Sequence, residues 1–459
     1  MKKYDSYKDS GVEWIGDIPN HWHVKRLKNI GSLYSGLSGK SGSDFEKVPT
    51  ENFKPFINFT NIANNKYILG DNFGFVKINE NENQNQVRKN DLFFLMSSEN
   101  QEDVGKSALL LNDYDELYLN SFCKGFRLTI NSDARFINYL LTSSALSQLI
   151  SLEGRGFTRI NLRMEGVENL PIILPQSIEE QTAISNFLDH KTTQIDQLIA
   201  KKEQFIQLLE EERVAVINQA VTKGLDPNVA MKDSGIDWLG KIPKHWDVKI
   251  IKHTTYVKGR IGWKGLRSDE FLEFSDSYVV TGTDFHNGTI KWETCYQVPI
   301  DRYEDDPFIK LQNDDLLITK DGTIGKIAIV KDMPKIATLN SGVFLTRPLE
   351  NEYYQEFMYW ILYSEVFKSF YDFNKSGSTI QHLYQNVFNE FKYPLPPIKE
   401  QIEIVNHVNK KTDELDLVIS KTKQEIALLK EYKTALISEV VTGKVDVSTS
   451  STQVLGTKN

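Results

Sequence analysis

Apolar residues between positions 184 and 216 fall at alternating steps of four and three. They are Ile184, Leu188, Ile195, Leu198, Phe205, Leu209 and Val216, with Lys191, Lys202 and Glu212 filling the remaining seam positions. That spacing predicts a coiled-coil stripe along one long helix. A second stretch repeats it with Ile404, Val408, Leu415, Val418, Leu429 and Leu436. Neither stretch contains an interior glycine or proline, so nothing breaks the helix. Ser177 with Glu180 fits a capping box, Pro396-Pro397 suits the second start, and Gly224 and Gly443 stand where C-terminal caps belong. Forty residues at ~1.5 Å rise make a rod of roughly 60 Å. Two such rods, each following a globular block, are expected to pair with each other.

The rods belong to a duplication. Glu180-Gln181 matches Glu400-Gln401, Lys191-Thr192 matches Lys411-Thr412, Asp196 matches Asp416, and Val221-Thr222 matches Val441-Thr442, always 220 residues apart. A constant offset over so long a segment marks an internal repeat. The repeat also covers the opening of each half. Residues 9–30 (DSGVEWIGDIPNHWHVKRLKNI) return at 233–254 as DSGIDWLGKIPKHWDVKIIKHT. The shared tryptophans and prolines predict a rigid, aromatic-packed opening to each block. One shared histidine per copy, His21 and His245, with no cysteine or clustered carboxylate, is not a metal-ligand set.

Between opening and rod, each copy carries a block of short β-rich runs. In the first they are residues 55–59, 91–96 and 125–130, followed by a helical stretch near 134–152. In the second they are residues 315–319 and 327–330, followed by a helix over 353–371. Landmarks correspond: Gly105-Lys106 with Gly325-Lys326, Asn120-Ser121 with Asn340-Ser341, and Gly156-Phe157-Thr158 with Gly377-Ser378-Thr379. Little else does, as expected of two related modules that read two different things. A proline-rich joint, residues 170–175 and 393–397, stops each block and leads extended chain into the rod.

Bulk properties narrow the choice. The 459 residues exceed one typical domain. Their 40% hydrophobic and 11% aromatic content suffices for packed cores. Cys123 and Cys295 lie in opposite halves, no signal peptide or bilayer-spanning apolar run is present, and a cytoplasmic location follows as the expectation. A net charge of -8 argues against an indiscriminate nucleic-acid coat, but not against a DNA reader with its basic groups on one surface. Catalytic motifs are missing. Gly36-Leu37-Ser38-Gly39-Lys40-Ser41 has only two residues between its glycines where a phosphate loop needs four. No G-x-G-x-x-G after a strand, Asn-Pro-Pro-aromatic, H-E-x-x-H, paired Cys-x-x-Cys or G-x-S-x-G occurs. No metal site is expected.

The tandem order of DSGxxWxGxIPxHW opening, variable block, G-x-T loop, Leu-Pro joint and Glu-Gln-starting helix resembles the DNA-specificity subunits of type I restriction–modification systems. The resemblance covers nearly the whole chain. It implies an α+β fold with two pseudo-repeated α/β target-recognition domains, residues 1–176 and 227–397. They are separated by two long antiparallel coiled-coil helices, residues 177–226 and 398–446, ahead of a disordered polar tail, 447–459. It further implies a non-catalytic subunit that reads a bipartite, asymmetric site in double-stranded DNA. Partners would be two modification subunits that methylate adenine at N6 and ATP-dependent restriction subunits. S-adenosylmethionine, ATP and Mg would be bound by those partners, with no cofactor in this chain. Helices pairing antiparallel would give the modules a pseudo-two-fold axis suited to half-sites about one turn, ~34 Å, apart.

Candidate DNA contacts are polar and basic loop residues beside glycines. Glycine permits close backbone approach, Lys and Arg neutralise phosphates, and Arg or Gln reads base edges. In the first half they are Ser38, Lys40, Ser41, Arg155, Thr158, Arg159 and Arg163. In the second they are Lys258, Arg260, Trp263, Lys264, Lys320, Thr323, Lys326, Thr379, Gln381 and His382. Two other readings fit the same modules: a specificity half serving another restriction–modification type, and a coiled-coil adaptor with two ligand-binding domains and no DNA.

Overall fold

A computed structural model of the chain describes residues 2–48, 52–70, 72–101, 103–156, 158–260, 266–374 and 382–447. They form two compact units, Met1–Lys202 with Gln424–Asn459 and Glu203–Lys423. The two long helices are Ile178–Lys223, of 46 residues, and Ile398–Val441, of 44 residues. Each gives one part to each unit. The tail from 448 and the positions of Trp263, Lys264, Thr379 and Gln381 lie outside the described residues. Among those described, no helix is long and apolar enough to cross a membrane.

The first unit is built on a five-stranded sheet. Strand Leu92–Leu95 lies between Cys123–Leu128 and Ser107–Leu110, with Gly31–Ser35 and Tyr67–Ile68 at the edges. Only the last pairing is parallel. Leu92–Leu95 and Ser107–Leu110 are buried on both faces, so they read as continuous apolar runs without alternation. A four-stranded sheet containing Phe53–Ile57 and Tyr118–Leu119 completes the core, in which Ile57, Phe93, Leu95, Ala108, Leu110 and Leu119 pack together. At the start of the central strand the buried Asp91 accepts from two guanidinium nitrogens of Arg127, Nε at 2.9 Å and Nη2 at 2.6 Å.

The second unit repeats the frame. Leu316–Thr319 lies between Val343–Pro348 and Ile327–Ile329, with Thr255–Gly259 on one side and Thr289–Ile290 on the other. Asp315, as buried as Asp91, holds Arg347 through the same two-pronged contact.

Each opening motif is a hairpin, Tyr7–Asp9 with Asp17–Pro19 in the first unit and Met231–Asp233 with Lys241–Pro243 in the second. Gly11 and Gly235 turn at φ +72° and +70°, and their amides donate to the carboxylates of Asp9 and Asp233. That accounts for the repeated Asp-Ser-Gly. The hairpin leads to the start of its own helix. In the first unit Glu180 accepts from Tyr4 Oη at 2.9 Å and Trp22 Nε1 at 3.1 Å, and its other oxygen meets His21 Nε2 at 2.9 Å. In the second, His245 meets Glu400 at 2.8 Å. The repeated histidines are therefore helix-start partners. Ser177 Oγ accepts from the Glu180 amide, as its capping role requires.

Within the first unit the helices run antiparallel: Asp196 pairs with Lys433 at 2.7 Å and Lys202 with Glu425 at 2.6 Å. Within the second, Arg213 pairs with Asp416 at 3.4 Å, the same positions as Asp196 and Lys433 in the other copy. Ile184, Leu188, Ile195, Leu209, Ile404, Val408 and Leu436 are buried as expected, and Leu415 and Leu429 are half-buried. Three seam assignments are corrected. Leu198, Phe205 and Val418 are 43%, 46% and 39% exposed, while Ile199 and Ile419 are buried and Ile206 half-buried. In each case two apolar residues are adjacent and the helix buries the second. The true seam also buries Gln181, Thr192, Thr412 and Thr422, so polar residues mask its register.

Asp189, on the first helix, anchors its domain. One carboxylate oxygen accepts from Tyr67 Oη at 2.6 Å, Tyr139 Oη at 2.8 Å and Lys66 Nζ at 3.0 Å, and the other from Arg135 at 3.2 Å. Burial alone would raise its pKa, but the Tyr67 hydroxyl, Lys66 and Tyr139 together hold it below the usual carboxylate range. The matching residue in the second unit is neutral: Asn409 Oδ1 accepts from Trp360 Nε1 at 2.9 Å.

Ile199→Ala is expected to cost about 2 kcal/mol or more in urea unfolding, and Leu198→Ala less than about 0.5 kcal/mol. The reverse order would restore the original register. Asp189→Asn should cost about 2 kcal/mol at neutral pH, because Lys66 and Arg135 lose a half-buried counter-charge. Since the folded pKa is depressed, that difference is full above roughly pH 5 and shrinks as pH falls. A pH-independent difference would mean the charge is not what matters.

Candidate nucleic-acid interface

The central strand of each unit ends in the same backbone arrangement. In the first unit the Gly105-Lys106 turn closes on Leu95, the Met96 amide donates to the Phe122 carbonyl at 3.3 Å, and the Leu162 amide donates to the Met96 carbonyl at 2.8 Å. In the second the Gly325-Lys326 turn closes on Thr319, the Lys320 amide donates to the Gly342 carbonyl at 2.9 Å, and the Leu383 amide donates to the Lys320 carbonyl at 2.9 Å. Gly105 and Gly325 both sit at φ +82°, which glycine alone adopts without strain. Asn120 and Asn340 are each tied to the neighbouring strand, through Ile57 and Val280. The sequence landmarks are thus the corners of one frame, and they gather several candidate stretches at one end of each sheet.

The side chains on that frame differ. In the first unit, strand Gly154–Arg155 pairs antiparallel with Ile160–Leu162, which in turn joins Ser97–Ser98. Arg155, Thr158 and Arg159 are exposed there. Arg155 donates to the carbonyls of Leu152 and Gly154, and Arg159 lies 4.9 Å over the ring of Phe122. Arg163 points back to Glu153 at 3.1 Å. Ser38 and Ser41 are exposed, with Ser38 bonded to Gln84 through both backbone groups and Ser41 closing a capping box with Asp44.

In the second unit an open hollow of about 340 Å³ is lined by Thr281, Thr283, Thr323, Lys326, Asn340 and Gly342. Thr323 and Lys326 are exposed. His382 meets Asp321 through Nδ1 and packs 4.5 Å from the Tyr384 ring. Lys320 is half-buried over the Phe344 ring, and burial lowers its pKa despite Asp321 nearby. Lys258 is half-buried between Tyr256 and Phe308.

Two expected DNA contacts prove to be framework. The Lys40 side chain is 4% exposed and bonded to Glu82 at 2.5 Å, so its charge is already paired. Arg260 is 2% exposed and donates to the Leu339 carbonyl at 2.7 Å and Thr338 Oγ1 at 3.1 Å. At the corresponding place the first unit has Gly36, where a Cβ would strike the Asn120 carbonyl oxygen at 2.1 Å. One copy fills that space with a guanidinium and the other with closely packed backbone. Phe122, Thr281, Thr283 and Asp321 were not among the sequence candidates. The Asn-Ser landmark at 120–121 and 340–341 was the signal that pointed next to them. Among the described residues no His, Cys, Asp and Glu cluster could hold a metal ion.

Fold and site together define a tandem recognition protein: one frame used twice, with different polar groups at the same end of each sheet. The chain belongs to the family of the type I restriction modification DNA specificity domain, whose model matches residues 19–208 and 266–428. It is 25% identical over 449 residues to the type I restriction enzyme MjaVIII specificity subunit of Methanocaldococcus jannaschii, covering 94% of each chain. It is 23% identical over 441 residues to the StySPI specificity subunit of Salmonella potsdam, covering 94% of this chain and 90% of that one. Among solved structures, its fold is similar to a chain from a study of complex assembly and conformational transition of the type I R-M system, with TM-score 0.72 at 14% identity. That match covers 93% of this chain and 99% of the other. The HsdS subunit of Thermoanaerobacter tengcongensis gives TM-score 0.57 at 14% identity over 93% and 98% of the chains. The resemblance read from the tandem motifs is met at the level of family and fold.

Arg260→Ala should lower the stability of the second unit by about 2 kcal/mol, since a buried carbonyl loses its donor. Lys326→Ala should leave stability within about 0.5 kcal/mol and reduce the salt slope of DNA binding by about one. Calorimetry and a salt titration on duplex DNA separate the two, and an unchanged slope for Lys326→Ala would remove it from the DNA surface.

Proposed function

We propose that this chain is the specificity subunit of a type I restriction–modification complex. It reads a two-part DNA site, one part per globular domain. The observation that carries this is the repeated frame with dissimilar side chains: Phe122 and Arg159 occupy the end of one sheet, and Gly342, Thr323, Lys326 and His382 the end of the other. Different groups in equivalent places read different bases, so the site is asymmetric. The long helices, without glycine or proline inside, set the gap between the two parts.

The chain binds no cofactor of its own and leaves methyl transfer and DNA cleavage to partners that hold S-adenosylmethionine, ATP and Mg. Two modification subunits dock on apolar positions that the helix seam leaves exposed. These are Leu198, Leu428 and Tyr432 in the first unit, and Leu208, Leu417 and Val418 in the second. Restriction subunits join that core.

The test is a genome-wide map of N6-methyladenine in cells with and without this gene. One bipartite, asymmetric motif should disappear on deletion and return with the gene. The purified chain alone should turn over neither S-adenosylmethionine nor ATP. A methylation map that deletion leaves unchanged would overturn the proposal.

A further inference from the structure

Phe122 combines a fixed backbone with an open side chain. Its amide donates to Asn120 Oδ1 at 2.9 Å and its carbonyl accepts from Met96, yet the residue is 47% exposed. An exposed apolar ring gains free energy when a ligand covers it. Arg159 reaches it from another segment, with its guanidinium 4.9 Å over the ring. That arginine lies between the paired strands Gly154–Arg155 and Ile160–Leu162, close to Gly156. The glycine has φ +130°, and a Cβ there would lie 2.1 Å from the Arg159 carbonyl oxygen. Strand Ile160–Leu162 in turn pairs with Ser97–Ser98. Ring and guanidinium are thus held together at the end of the central sheet. Two other basic candidates of this domain are already paired, Lys40 with Glu82 and Arg163 with Glu153.

The second unit has the same backbone bond at this place but Gly342 instead of Phe122. The two domains therefore differ in side-chain bulk at this structurally equivalent point. Phenylalanine makes apolar contacts with a base, notably a thymine methyl group, and a pre-oriented guanidinium forks onto guanine. Stacking on the ring removes rotamer freedom that a lone surface arginine would lose on binding.

We propose that Phe122 and Arg159 together are the specificity-determining contact of the first domain, the ring packing on one base of its half-site and the guanidinium reading the neighbour. This rests on the DNA-reading function proposed above. The test uses the whole chain with its modification subunits, and methylated sites are mapped for wild type, Phe122→Ala, Phe122→Leu, Arg159→Ala and Arg159→Lys. Phe122→Ala and Arg159→Ala are expected to relax base preference roughly ten-fold or more at one or two adjacent positions of a single half-site. The other half-site and the gap stay as they are, which also shows that each variant is folded and assembled. Arg159→Lys should behave like Arg159→Ala, because lysine keeps the charge but loses the fork, and Phe122→Leu should retain part of the preference. Unchanged preference in both alanine variants overturns the proposal. So does uniform weakening of both half-sites, or full rescue by Arg159→Lys, which would make Arg159 a phosphate contact. Failure of the wild-type chain to direct any motif would instead refute the DNA-reading function itself.

Discussion

Each globular domain depends on one buried glutamine at the first turn of a long helix. Gln181 Oε1 accepts from Ser132 Oγ at 2.6 Å and the Asp133 amide at 3.0 Å, while Nε2 donates to the Pro175 carbonyl at 3.0 Å. Gln401 accepts from the Tyr354 amide at 2.7 Å and donates to the Pro396 carbonyl at 2.7 Å. Both residues are nearly inaccessible. An amide that donates and accepts at once suits a joint where a strand ends, a helix begins and a domain helix starts nearby, since each leaves backbone groups unpaired. No apolar residue could substitute without orphaning several of them. The preceding glutamate adds the histidine contact, so Glu-Gln and the His-Trp of the opening motif are two halves of one joint.

From that joint outward, constraint decreases. The Arg127–Asp91 and Arg347–Asp315 pairs fix the start of the central strand in both copies. The glycine turns at 105 and 325 fix its end. Beyond the end the backbone bonds persist while side chains point into solvent, where substitutions cost little stability. A duplicated chain with this gradient keeps its frame while its reading residues drift.

The sequence made the helices, the duplication and the landmark glycines legible because each is a regular pattern or a strict backbone requirement. The seam was legible only in part. Leu198-Ile199, Phe205-Ile206 and Val418-Ile419 each offer two apolar residues in a row, and a spacing rule cannot choose between them without knowing that Thr192, Thr412 and Thr422 are buried. The site was less legible still. Lys40 and Arg260 have the right chemistry beside glycines, yet both are consumed by partners distant in sequence, Glu82 and Leu339. Residue type reports what a side chain can do. Whether it remains available depends on tertiary neighbours.

The same reasoning explains why the second copy buries an arginine where the first has Gly36. A buried guanidinium costs desolvation, and burial lowers the Arg260 pKa. It persists because carbonyl and hydroxyl acceptors surround it and pin the strand Thr255–Gly259 side of the frame to the strand Ala337–Leu339. In the first copy Gly36 lets the backbones meet directly, and the Leu37 amide donates to the Leu119 carbonyl at 2.7 Å. Two chemically unlike solutions hold the same two segments together, so it is the position of the Asn120 and Asn340 corners that is constrained, not the residues beneath them.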